Sequence, residues 1–166
     1  MWVIRMIRKV EKEEIPNCVE VIRSSFLSVA KEFGITQENG PRFTAFATTS
    51  ERLYWQLEVE GRPMFGYFNN EGEMVGYYSL HIQEQNECEL NNLCVLNEYR
   101  HQRIGRELME HAIIYATQLG CRQMNIGIVD ENTKLKRWYE SFGAVQIDTK
   151  KYDFFPFTCG YMKKVL

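Results

Sequence analysis

The chain has 166 residues, 45% hydrophobic and 25% charged, with a formal net charge of −2. A chain of this length buries roughly two-thirds of its unfolded surface in one core, and this composition excludes disorder, collagen and coiled coil. The charge balance provides no basic field for nucleic acid or an anionic membrane surface. No run approaches the roughly 20 apolar residues of a membrane span, and Met1 to Val10 lacks the continuous apolar region of a signal peptide. The five cysteines, Cys18, Cys88, Cys94, Cys121 and Cys159, are widely spaced with no Cys-x-x-Cys pair, which reads as buried, reduced thiols. The expectation is a cytoplasmic protein in which residues 1–166 form a single domain.

Taken in chain order, Trp2 to Val10 alternates as a first strand. A helix follows from about Glu11, with Ile15, Val19, Ile22, Phe26, Ala30 and Phe33 at helical spacing, and Gly34 stops it. Gly34 to Thr49 reads as a long loop with buried aromatic anchors. Ser50 is expected to cap a short helix to about Glu60, broken by Gly61-Arg62-Pro63. Strands are expected over Met64 to Phe68, Glu73 to Gln83 and Glu87 to Leu96. Next come a helix from Arg103 to Leu119 closed by Gly120, a strand from Arg122 to Val129, and a helix from Asn132 to Phe142 closed by Gly143. Two tail strands, Ala144 to Lys150 and Thr158 to Val165, flank an aromatic Tyr152 to Phe157 loop. The order predicts a mixed α/β fold with helices on the faces of one sheet.

The junction Tyr99 to Leu108 stands out because a strand ends, a basic turn follows and a helix begins. Unpaired N–H groups and the positive end of a helix dipole there suit a phosphate, and Arg100, Arg103 and Arg106 add charged donors. Neither Gly-x-Gly-x-x-Gly after a strand nor a Gly-Lys-Ser/Thr loop is present, which argues against a dinucleotide-binding dehydrogenase and a P-loop NTPase.

This order of elements resembles the GNAT superfamily of acyl-CoA N-acyltransferases over nearly the whole chain. The family's phosphate turn, Gln/Arg-x-x-Gly-x-Gly/Ala, aligns on Arg100, His101, Gln102, Arg103, Ile104 and Gly105. A second signature, Asn followed seven residues later by Tyr and then a helix-ending Gly, matches Asn132, Tyr139 and Gly143. The resemblance implies a central mixed, mostly antiparallel sheet flanked by about four helices, with acetyl-CoA as co-substrate. One position departs from the pattern: Arg103 stands where the motif has glycine. Because it begins a helix, it is expected to take a helical φ and to place a cation near the phosphates.

The implied chemistry is direct transfer of an acetyl group from the thioester to a primary amine. A base or water chain must first take a proton from the ammonium, and backbone N–H donors must hold the oxyanion. The resemblance assigns backbone contacts with the pantetheine arm and thioester to Leu93, Cys94 and Val95, around a bulge. It gives Asn132 a side-chain contact to the same arm, alongside its reading as a helix N-cap. The same resemblance makes Glu89 the candidate base, with Glu87, on the same face by period two, the second; solvated sheet-edge carboxylates are the competing reading. It makes Tyr139 the candidate general acid, where periodicity alone reads a core tyrosine.

Phe33, Phe43, Phe46, Phe154, Phe155 and Phe157 are candidates for an aromatic entrance to the acceptor groove, with Glu87 attracting an ammonium; the competing and more frequent outcome is that such rings bury one another over the core. The acceptor is expected to be a small-molecule or peptide amine, and a homodimer through a strand edge or aromatic loop is compatible with the sequence. His81, His101 and His111 lack metal-ligand spacing, so no metal is expected. Cys94 reads as a packed thiol rather than a covalent acyl carrier. The rival from another class is a non-catalytic acyl-CoA sensor that keeps the phosphate turn and needs neither Glu89 nor Tyr139.

Overall fold

The computed structural model describes residues 6–166. The predicted first strand is seen as β1 (Met6–Lys9), and its expected beginning lies outside the described residues. A 3-10 turn over Lys12–Glu14 precedes α1 (Ile15–Glu32), so the helix starts four residues later than the acidic run suggests. Glu14 accepts the Glu11 N–H at 2.8 Å and is clamped by Arg8 at 2.8 and 2.9 Å, and these bonds hold the acidic segment as a separate turn. Within the expected loop, α2 (Thr44–Ala47) forms a single turn, and Thr49, not Ser50, caps α3 (Ser50–Glu58) by accepting the Arg52 N–H.

Strands β2 (Met64–Phe68), β3 (Met74–Ile82) and β4 (Glu87–Val95) form antiparallel neighbours. Then come α4 (Ile104–Gln118), β5 (Gln123–Val129), α5 (Thr133–Glu140), β6 (Val145–Lys151) and β7 (Thr158–Val165). They complete a seven-stranded sheet in the order β1-β2-β3-β4-β5-β7-β6, in which β4 and β5 alone run parallel. None of the described helices is long and apolar enough to cross a membrane.

Alternation along the strands sends side chains to two faces. Tyr78 and Leu80 of β3 join Leu90, Met124, Ile126 and Met162 under α4, whose Leu108, Met109, Ala112 and Ala116 are buried. Tyr77 of β3 and Met64 of β2 join Ile15, Cys18 and Ile22 of α1 on the opposite face. A third cluster, Ala30, Ile35, Phe43, Val129 and Phe157, closes the end of the sheet where α1, α2 and the β6–β7 loop meet.

Candidate active site

The two parallel strands do not stay together. Their register runs from Glu87↔Gln123 to Leu90↔Ile126 and stops, while β4 continues to Val95 and β5 to Val129. A bulge causes the divergence: Asn92 and Leu93 occupy the span that Tyr78 alone covers on β3, between Ser79↔Asn91 and Tyr77↔Cys94, and Asn92 takes φ 55°. The extra residue bends β4 away from β5 and releases backbone groups from both ladders.

A cavity of about 230 Å³ fills the resulting gap and passes between the faces of the sheet. Asn132, Leu135 and Tyr139 line it from the α5 side, Phe26, Val29, Phe43, Phe155 and Phe157 from the α1 side, and Leu93 and Gly127 from the strands. Asn132 caps α5 by accepting the Leu135 N–H at 3.2 Å while also lining the cavity. Tyr139 is buried, and burial, with a smaller contribution from the Cys94 thiol, pushes its pKa up, so the phenol keeps its proton.

Beyond β4, a 3-10 turn over Asn97–Tyr99 leads into the predicted phosphate turn. No side chain caps α4, and the first intrahelical bond of the segment is the Glu107 N–H to the Arg103 carbonyl. The N–H groups of Ile104, Gly105 and Arg106 therefore have no intrahelical acceptor. Arg103 has φ 67° and ψ 7°, and His101 has φ 64°. This overturns the expected helical φ at Arg103. Left-handed residues alternating with right-handed or extended ones turn successive N–H groups inward, forming an anion-binding nest; a non-glycine residue there carries strain of roughly 1–2 kcal/mol. Gly105 sits where a Cβ would come within 3.6 Å of Trp138, placing the turn directly beside α5.

A model of the acetyltransferase (GNAT) family matches residues 31–144, more than half of the chain. The chain belongs to the GNAT acetyltransferase family. It is thus an acyltransferase of the kind that carries out acetyl-CoA-dependent N-acetylation. A relative from Lactobacillus delbrueckii subsp. lactis, described as an uncharacterized N-acetyltransferase in the pepI 3′ region, is 23% identical over 149 residues, or 83% of each chain. The fold is similar to that of PaiA N-acetyltransferase from Thermoplasma acidophilum in complex with coenzyme A, with TM-score 0.81, 22% identity, and 98% and 99% of the two chains covered. It is also similar to the ribosomal-protein-S18-alanine N-acetyltransferase from Escherichia coli, with TM-score 0.77, 16% identity, and 98% and 94% covered.

In this acetyltransferase the expected site residues separate into groups. Leu93, Asn132, Tyr139, Phe43 and Phe155 meet at the cavity. Cys94 and Val95 stay paired with Tyr77 and Gly76 of β3. Burial pushes the Cys94 thiol up to about 12, which leaves no thiolate for a covalent acyl carrier at neutral pH. Phe33 packs against the third cluster outside the cavity lining, as does Phe46. The Arg100 guanidinium is taken up by the Val95 and Ser25 carbonyls and Asn97, so it acts as a tie within the fold rather than a free phosphate ligand. Arg106 lies over the Phe142 ring and 3.6 Å from Glu110, at the rim of the turn.

Glu89 and Glu87 are absent from the lining; each carboxylate faces neighbouring amides instead. Sequence reasoning missed Tyr161, which lines the cavity, pairs with Gly127 and shares a 2.9 Å bond with the Tyr152 hydroxyl. That bond, then burial, pushes the Tyr161 pKa up. Only strand pairing places Tyr161 opposite Gly127, and no local pattern in β7 reveals it. Among the described residues there is no cluster of three or more metal-ligating side chains.

Proposed function

We propose that the protein transfers the acetyl group of acetyl-CoA directly to a primary amine, with the cofactor on the α4–α5 side of the gap and the acceptor on the α1 side. The observation that carries this reading is the separation of β4 from β5 beyond Leu90 and Ile126, beside a helix N-terminus that no side chain caps. The backbone N–H groups of His101, Gln102, Arg103, Ile104, Gly105 and Arg106 hold the pyrophosphate, with Arg103 and Arg106 supplying positive charge. The pantetheine arm runs between the strands past Asn132, and backbone donors at the Asn92–Leu93 bulge hold the thioester oxygen as its charge develops.

The acceptor enters as an ammonium and must lose a proton before it can attack. Because neither Glu89 nor Glu87 lines the cavity, that proton leaves through water in the groove opened by Gly127, which is exposed and has nothing within 4 Å of where a Cβ would stand. The amine nitrogen then bonds to the thioester carbon and gives a second proton to the same water, and the intermediate collapses with loss of the thiolate, which takes the Tyr139 proton. An acid whose pKa lies above its ordinary value stays loaded at neutral pH and regains its proton from solvent after product leaves.

Calorimetric titration with acetyl-CoA, followed by thiol-release assays over a panel of primary amines, tests this reading. Binding near the micromolar range, about −8 kcal/mol, is expected, together with release of one thiol per acetylated amine. Folded protein that fails to bind acetyl-CoA would remove the reading.

A further inference from the structure

Among the described residues that line the cavity there is no carboxylate and no imidazole, yet an acceptor that arrives as an ammonium sheds two protons in the course of transfer. The polar groups on the acceptor side therefore decide where those protons go. Residues directly opposite in an antiparallel pair share a face of the sheet, so Tyr161 of β7 projects on the side to which a side chain at Gly127 would point. Nothing lies within 4 Å of that missing Cβ, and both residues line the cavity. The Tyr161 phenol thus borders open groove where a packed neighbour would otherwise stand.

Its hydroxyl is 2.9 Å from that of Tyr152, the residue that follows β6. Tyr152 stands outside the cavity lining, half-buried between the exposed Lys151 and Asp153, so the hydroxyl pair joins the cavity to the protein surface. The Tyr152 ring is held from several sides. It stacks on Phe154 at 5.0 Å, meets the edge of Phe155 at 6.4 Å and carries the Lys150 ammonium 4.7 Å above its face, while Lys151 donates to its carbonyl at 3.0 Å. The Cys159 thiol, next on the same face of β7, also bonds to Tyr161, and Asp148 lies opposite Tyr161 on β6 with its carboxylate accepting the Thr149 N–H at 2.8 Å. Tyr161 stays un-ionised at neutral pH, because the bond to Tyr152 and then burial hold its phenol above the ordinary range. It cannot store a proton's departure as a charge. A phenol hydroxyl, however, accepts one hydrogen bond and donates another, so two linked hydroxyls pass a proton along without either ionising.

Building on the amine-transfer reading, we propose that Tyr161 and Tyr152 form the route by which the acceptor's protons leave the site. Water in the Gly127 groove takes a proton from the amine and gives one to the Tyr161 hydroxyl; Tyr161 gives its own to Tyr152, and Tyr152 gives its own to bulk water. Each oxygen gains one proton as it releases one, and rotation of the two hydroxyls restores the starting arrangement. Tyr161 is therefore a positioning residue that acts on the acceptor through water, and Tyr152 is the outer link.

The test measures thiol release at saturating acetyl-CoA in the parent, Tyr161→Phe, Tyr152→Phe and the double variant, with circular dichroism and acetyl-CoA titration establishing that each is folded and loaded. Two acceptors of nearly the same shape serve as probes: benzylamine, which is mostly protonated at neutral pH, and phenylhydrazine, whose terminal nitrogen is not. For benzylamine, kcat is expected to fall about tenfold in either single variant and no further in the double variant, since a route broken at one link is already broken. KM and acetyl-CoA affinity should change by less than about twofold, and phenylhydrazine turnover should fall by less than about threefold. Tyr152→Phe reads the same step without altering the cavity wall, so the comparison holds even where Tyr161→Phe does not fold. Unchanged benzylamine turnover in the single variants, losses that multiply in the double variant, or an equal loss with both acceptors overturns the route and leaves the transfer reading standing. Parent protein that binds acetyl-CoA and releases no thiol with either acceptor overturns both.

Discussion

Arg100 donates to the Ser25 carbonyl at 2.9 Å, and its Nε donates to the Val95 carbonyl at 3.0 Å. One guanidinium thereby ties the middle of α1 to the end of β4, at the point where the phosphate turn begins. Arg100→Ala removes these bonds and leaves partly buried carbonyls unsatisfied, so stability should drop by about 2 kcal/mol. Urea denaturation would measure this loss. A midpoint equal to that of the parent would show that α1 and β4 hold together without the tie.

Arg103→Gly separates conformation from charge in the phosphate turn. Glycine adopts φ 67° at no steric cost, so the variant should be as stable as the parent or more so, by up to about 1 kcal/mol. It also loses a cation, so acetyl-CoA should bind a few-fold more weakly, and the difference should shrink as salt is raised. Calorimetry at two ionic strengths checks this. Marked destabilisation would contradict the left-handed conformation.

Tyr139→Phe should change stability by less than about 1 kcal/mol, because the ring keeps its packing beside Trp138. Turnover should fall by about 10²-fold or more if the hydroxyl supplies the proton to the leaving thiolate. Steady-state kinetics at saturating acetyl-CoA reports it, and unchanged turnover would return Tyr139 to a packing role.

Gly127→Leu fills the side of the cavity beside Tyr161. The added side chain meets no backbone, since nothing lies within 4 Å of the missing Cβ, so the fold should persist. Acceptor KM should rise about tenfold while acetyl-CoA affinity changes by less than about threefold, because the two ligands use opposite sides of the gap. An equal loss of both affinities would show that the acceptor does not approach past Gly127.

Burial raises the thiols of Cys18, Cys88 and Cys94 to about 12. In the unfolded chain they ionise near their ordinary value of about 8.5, while in the folded protein they keep their protons. Above that point the unfolded state binds fewer protons, so stability falls as pH rises from about 8.5 towards 12. His111 acts at the other end: burial lowers its pKa, so the unfolded state binds more protons around and below about 6.5 and stability is lost as pH drops through that range. Urea midpoints at pH 5.5, 7.5 and 9.5 should be highest at the middle value.

Much of the site was readable because its signals are local. The strand, turn and helix around Arg100 to Gly105, and the Asn132, Tyr139 and Gly143 spacing, each lie within one short segment. Helical periodicity placed Leu135, Trp138 and Tyr139 on one face of α5, which does pack on the core. Where reading failed, longer-range contacts decided the outcome. The Arg8–Glu14 clamp moved the start of α1, and Arg103 takes a left-handed φ against its local preference. The carboxylates of Glu87 and Glu89 share a face as period two requires, and neighbouring amides rather than the cavity take them up.

By itself the sequence determined the element order, the two motif segments and the family to which they belong, because these depend on residues adjacent in the chain or one helical turn apart. The tertiary structure alone decided that β4 leaves β5 after Leu90, that Tyr161 faces Gly127, and that Arg100 is spent on Ser25 and Val95. Those features arise from pairing between residues tens of positions apart, whose register is set by the fit of whole strands and helices rather than by local preference.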